Sequence, residues 1–149
     1  MDNRTLVIQC MKDYPKIAAG DTELFNKYFH DDFVNHTELM HEKGASGKPA
    51  LAEEAEKFSA GLFREGFETE IDVDVAEGDY VAAAWRLVGS HSGDAQYRQV
   101  GTLKASGDDL EFSGLVLFKV SDGQISEMWR YDNLTDVMAA KGAVQVTSA

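Results

Sequence analysis

A strand-forming run over residues 125–133 delivers Trp129, Arg130, Tyr131, Asp132 and Asn133 just before a short helical segment. A carboxylate beside aromatics at a strand end suits acid/base work, because apolar neighbours raise a carboxyl pKa toward the working range. Asp132 is therefore the first candidate for carrying a proton. A structural role stands beside it: Asp132 or Asn133 precedes LTDVMAAKG, and either side chain can cap that helix. His91 ends an earlier strand pattern on the same alternating face as Trp85 and Leu87. An imidazole there can hydrogen-bond a substrate carbonyl or hold the aspartate, or it can simply anchor the turn marked by Ser90, Ser92 and Gly93.

Other residues offer weaker chemistry. His36 suits a pocket wall or a satisfied buried position, whereas His30 and His41 sit in polar surroundings. The four histidines show no HExxH and no helical pairing with a carboxylate, so no metal site is expected. Trp85, Phe118, Trp129 and Tyr131 can wall an apolar pocket or serve as core. Arg86 and Arg130 follow their tryptophans at the opposite strand parity, which places them on the surface or at a subunit interface. No Arg–Asp pair is evidently aimed at one site. Tyr14 and Tyr28, on the helices, offer a phenol donor to a bound carbonyl, with packing the favoured reading for both. GxGxxG, GxxxxGK[ST] and GxSxG are absent, which argues against a phosphate loop or a nucleophile elbow.

The elements that must position these groups follow from periodicity. Leu6, Val7, Cys10, Met11, Tyr14 and Ile17 make a helical stripe over residues 4–18, with Pro15 able to kink its end. Gly20-Asp21-Thr22 stops that helix and starts another over residues 22–29. His30-Asp31-Asp32 breaks it before a short extended segment at residues 33–36. Residues 37–48 read as a polar loop and a possible lid, and Pro49 opens a third helix to about residue 64. The second half alternates: Phe67, Thr69, Ile71, Val73 and Val75 on one side of a strand, then strands over 80–90, 97–105, 110–120 and 125–133. Ser121-Asp122-Gly123 is a tight turn. Helices first and a meander afterwards is an α+β pattern, with helices covering one face of a twisted antiparallel sheet.

The chain has 149 residues, which fits a single domain over 1–149. Its 14 Lys and Arg against 26 Asp and Glu give a net charge of −12. Such an acidic surface argues against nucleic acid as a partner. The single cysteine, Cys10, excludes an internal disulfide and reads as a small apolar residue. No signal peptide and no membrane-length apolar run is seen, so a cytoplasmic protein without membrane contact is expected.

Four stretches, DDFVNHT, VAAAWRLVGSHSG, LEFSGLVLFKVSDGQISEMW and DNLTDVMAAKG, together resemble the SnoaL-like polyketide cyclase family of the nuclear transport factor 2-like superfamily. The resemblance spans about residues 20–142 in the expected order. It implies a cone-shaped curved sheet wrapped around N-terminal helices, with a pocket at the open end. It further implies a cofactor-free enzyme acting on an apolar, carbonyl-bearing small molecule by intramolecular aldol closure, or a related isomerase or dehydratase. A non-catalytic binding domain and an epoxide-hydrolase-like water addition remain alternatives within the superfamily. The implied catalytic pair is Asp132 with His91. The implied substrate wall is His36, Trp85, Phe118, Trp129, Tyr131 and Asn133, and a homodimer through the outer sheet face is also implied. One departure stands out. In the family the aspartate lies four residues after the strand tryptophan, and here that position is Asn133, with Asp132 one short. A bulge or strand-end twist can re-aim Asp132. The family's proline-containing turn is replaced by Lys104-Ala105-Ser106-Gly107.

Overall fold

The computed structural model describes residues 1–36, 46–97 and 101–141. Residues beyond 141 and most of the 37–48 segment, with His41 and the question of a lid, lie outside the described residues. Helix α1 (Asn3–Ala18) starts where Asp2 accepts a hydrogen bond from the Thr5 amide at 2.7 Å, a capping arrangement that satisfies one orphan donor. Its stripe Leu6, Val7, Cys10, Met11 and Ile17 is buried, and Pro15 lies inside the helix without ending it. Asp21 caps α2 (Thr22–Tyr28) through the Leu24 amide at 3.0 Å.

Two expected boundaries move. Helix α2 ends at Tyr28, and the His30-Asp31-Asp32 run expected to separate it from the extended segment lies inside strand β1 (Phe29–Asn35). The third helix is α3 (Lys48–Lys57), followed by a π-helical turn over Phe58–Leu62. Gly61 in that turn is pressed close to Gly93, where an added Cβ would meet the Gly61 carbonyl oxygen at 2.1 Å.

The sheet contains β2 (Phe67–Glu77), β3 (Tyr80–Ser90), β6 (Asp109–Ser121) and β7 (Gln124–Asp132), with β1 at one edge. Its order is β1-β7-β6-β3-β2, antiparallel throughout except that β1 runs parallel to β7. The sheet curls around α1 and α3 without closing. The single strand expected over 97–105 is instead two short strands, β4 (Ala95–Tyr97) and β5 (Gly101–Leu103), paired apart from the main sheet. The Asp94 carboxylate accepts from the Ala105 amide at 2.8 Å and ties the base of that hairpin. The β6–β7 turn has both central residues at positive φ, Asp122 at 52° and Gly123 at 76°. That geometry matches the right-handed twist of a two-residue hairpin. The last element among the described residues is helix α4 (Leu134–Ala140). Among the described residues no helix is long and apolar enough to cross a membrane.

Side-chain alternation is regular on β3, where Val81, Ala83, Trp85 and Leu87 are buried. It is interrupted on β2 and β7 by register shifts, between Ile71 and Val73 and opposite Lys119/Val120. An extra residue reverses the facing of everything beyond it. On β2, Phe67 stays inside, while Val73 and Val75 turn outward and are more than half exposed. The expectation that all five residues share one side is thus corrected by the irregularity at Asp72. On β7, Ile125 faces the core before the shift, and Met128, Arg130 and Asp132 face it afterwards.

Gly114 pairs with Asp132 across β6 and β7. A Cβ there would meet the Tyr131 carbonyl oxygen at 2.2 Å and the Trp85 ring at 2.7 Å. Since the first neighbour is backbone, Gly114→Ala is expected to lower stability by at least about 2 kcal/mol. The urea unfolding midpoint measures it, with Gly107→Asn, at an open positive-φ position, as the mild control.

Candidate functional site

Between α1 and the concave face of the sheet lies a cavity of about 70 Å³. Helix α1 contributes Cys10, Met11 and Tyr14, whose spacing sets them on one helical face. Trp85, Phe112 and Phe118 form its sheet wall. Trp85 packs edge-on to Phe112, with ring centroids 5.8 Å apart. Met11 and Met128 add flexible walls, useful because the volume is about half that of an apolar cavity able to hold benzene. Burial pushes the Cys10 thiol well up from its ordinary value, which keeps it a packing group.

The charged end of the cavity is made by β7. Arg130 and Asp132 both line it, and Asp132 Oδ2 lies 3.9 Å from Arg130 Nε. Glu54 on α3 accepts a hydrogen bond from Arg130 Nη2. Each side chain of that pair is 21% exposed. Burial pulls the guanidinium pKa down, but Glu54, Tyr14 and Asp132 more than offset it and hold Arg130 above its ordinary value. A carboxylate flanked by a guanidinium can hold a proton acceptor next to a group that stabilises a developing oxyanion.

Asp132 has a structural task as well. Its Oδ1 accepts from the Leu134 amide at 3.0 Å, at the start of α4, while its side chain remains 27% exposed. Capping and facing the cavity therefore coexist in one carboxylate. Asn133 is turned away: its Oδ1 accepts from the Ser113 amide at 2.8 Å and its Nδ2 donates to Ser113 Oγ at 3.2 Å. That side chain prolongs the β6–β7 ladder and does not line the cavity.

The remaining expected residues divide. Trp85 and Phe118 join Asp132 on the cavity. His91 does not: it is fully buried beside the 104–108 segment, with Nδ1 3.2 Å from Ser106 Oγ and its amide donating to the Asp108 carbonyl. The strand parity that links it to Trp85 ends where β3 ends at Ser90, so the imidazole packs beneath that segment instead. Trp129 and Tyr131 lie on the opposite face of β7 from Arg130. His36 stacks on Trp129 at 4.5 Å and pairs with Glu127 at 2.8 Å. Hydrogen bonds from His36 and then Lys119 lower the Glu127 carboxyl below its ordinary value. Arg130, expected on the surface, is on the cavity, and the Arg–Asp pair that seemed lacking is Arg130 with Asp132. Both corrections follow from the shift in β7. Glu54 also escaped notice, although it stands one helical turn from the buried Leu51 and so shares its face. Among the described residues no cluster of three metal-ligating side chains occurs.

A family model described as SnoaL-like polyketide cyclase matches residues 8–141. Solved structures of the same shape include a protein from Jannaschia sp. CCS1 described as a SnoaL-like polyketide cyclase, 24% identical, covering 96% of this chain and 93% of its own, with TM-score 0.72. IdmH from Streptomyces antibioticus, described as a polyketide cyclase, is 19% identical over 96% of this chain and 100% of its own, TM-score 0.74. AclR from Streptomyces galilaeus, described as a hydroxylase, is 17% identical over 98% and 84%, TM-score 0.73. At such identities these likenesses show the fold. The comparison with curated proteins returns no match.

Removing Glu54 strands a mostly buried guanidinium. Glu54→Ala is expected to cost about 1–3 kcal/mol, below the roughly 3–5 of a fully buried pair because both side chains keep some water and Asp132 remains near. Chemical denaturation at neutral pH measures it. The double change Glu54→Leu with Arg130→Met should recover most of the loss.

Proposed function

Because the chain belongs to the SnoaL-like polyketide cyclase family, we propose that it is a cofactor-free enzyme acting on an apolar, carbonyl-bearing small molecule. The observation that carries this reading is the placement of Asp132 and Arg130 together at one end of a mainly apolar cavity. Asp132 takes a proton from the carbon beside a substrate carbonyl, and Arg130 donates hydrogen bonds to the enolate oxygen that develops. The enolate carbon then bonds to a second carbonyl carbon of the same molecule. The resulting alkoxide recovers the proton from Asp132, which balances an intramolecular aldol closure. Trp85 and Phe118 hold the substrate and exclude water. Arg130 takes the orienting role first expected of His91, which lies away from the cavity.

A second reading, water addition to an epoxide, draws on the same approach of Arg130 to Asp132: the carboxylate takes a proton from water as the water oxygen bonds to an epoxide carbon, the ring C–O bond breaks toward the guanidinium, and the alkoxide recovers the proton from Asp132. The outer sheet face suits a second copy of the chain. Val73, Val75, Leu115 and Tyr131 are each more than 60% exposed there, a concentration of apolar surface that favours association.

The test is exchange of the α-protons of an aryl β-diketone in D2O, followed by NMR. Asp132→Asn is expected to slow catalysed exchange about 10²–10⁴-fold while leaving the circular dichroism spectrum unchanged. Asn133→Ala should retain it. Unchanged exchange in Asp132→Asn overturns the assignment, and loss confined to Asn133→Ala transfers the role to that residue. Consumption of an aryl epoxide without diketone exchange selects the second reading. For the outer face, Leu115→Glu should convert a dimer to a monomer by light scattering, and an unchanged mass rejects that interface.

A further inference from the structure

Thr69 stands on the inward face of β2 between Phe67 and Ile71, where both neighbours on that face are apolar. It lines the cavity, and its Oγ1 is sealed from bulk water with no hydrogen-bond partner among the described residues. Buried hydroxyls are ordinarily paired, and one left without a partner is destabilising. Valine has nearly the same shape, suits a strand as well, and would fill this position with no polar group to satisfy. A hydroxyl kept here therefore points to something the cavity receives.

We propose that Thr69 Oγ1 is a ligand-binding group that takes a hydroxyl or carbonyl oxygen of the substrate at the inner wall. The inference rests on reading this cavity as the substrate site and adds to it a second polar anchor, distinct from Asp132 and Arg130. The register places the two anchors on opposite walls. Thr69 pairs with Leu87, and Leu87 with Phe112, two residues before Gly114, which faces Asp132. Three strand spacings separate β2 from β7, about 14 Å along the sheet, and the curl makes the path across the cavity shorter. The substrate class is accordingly an apolar molecule with two oxygen functions, one at the proton-moving end and one held by Thr69. Thr69 moves no proton in this scheme: it selects and orients.

Binding without turnover tests it, so that failure of the enzymatic reading does not blur the result. Phenol and benzene are titrated into wild type, Thr69→Val and Thr69→Ser, with NMR shifts as the readout. Thr69→Val should shift the phenol-to-benzene affinity ratio toward benzene by about 5- to 20-fold, consistent with loss of one hydrogen bond at a desolvated site. Its melting temperature should equal or exceed that of wild type. Thr69→Ser, which keeps the hydroxyl, should keep the ratio. An unchanged ratio in Thr69→Val, or a Ser variant that behaves like Val, overturns the Thr69 assignment while leaving the cavity in place. Saturable binding of neither probe to the wild-type protein overturns both the assignment and the cavity reading.

Discussion

One additional residue in strand β7, opposite Lys119 and Val120, decides what this protein presents to its interior. A strand has only two faces, so a single insertion exchanges them for every position downstream. Ile125 points inward before the shift, and after it Met128, Arg130 and Asp132 do. The irregularity is held by side chains: Ser126 Oγ donates to the Lys119 carbonyl at 3.2 Å and sits 3.0 Å from Ser121 Oγ. Without it, Trp129 and Tyr131 would fill the interior and the two charged residues would meet water.

Turning an arginine inward creates an electrostatic obligation that shapes the neighbouring elements. A guanidinium with so little water needs a carboxylate, and Glu54 supplies it from α3. The pair joins a helix to the far side of the sheet and fixes one end of the cavity. Behind the aromatic wall the core is governed by packing, with Phe63 nearly parallel to Phe112 at 6.1 Å and Trp85 edge-on to it at 5.8 Å. A charged corner and an aromatic wall thus share one small space. Methionines at its margin let the walls adapt without disturbing the charges.

How much of this was legible in the sequence depended on whether a local rule sufficed. The α1 stripe, the β3 alternation and the Asp122-Gly123 turn are local patterns, and each is realised. Parity counting failed on β2 and β7 because the extra residues there, around Asp72 and Ser126, are ordinary in composition and leave no glycine or proline to mark them. The same blind spot put Arg130 outside and left Asp132 and Asn133 unresolved. Which of its two roles His91 fills depends on the distant 104–108 segment, to which no periodicity in its own strand refers. Family resemblance helped with the fold, where many weak matches add, and less with the site, where one offset matters.

The hydrogen bond from the Leu134 amide to Asp132 joins the cavity to the helix that follows. Leu134 and Met138 anchor that helix in the core, so the carboxylate is aimed partly by residues that come after it in the chain. The smallest transplantable unit of this site is therefore a corner, the end of β7 with the first turns of α4. A graft of the strand by itself onto another scaffold would carry the aspartate without the hinge that sets its direction.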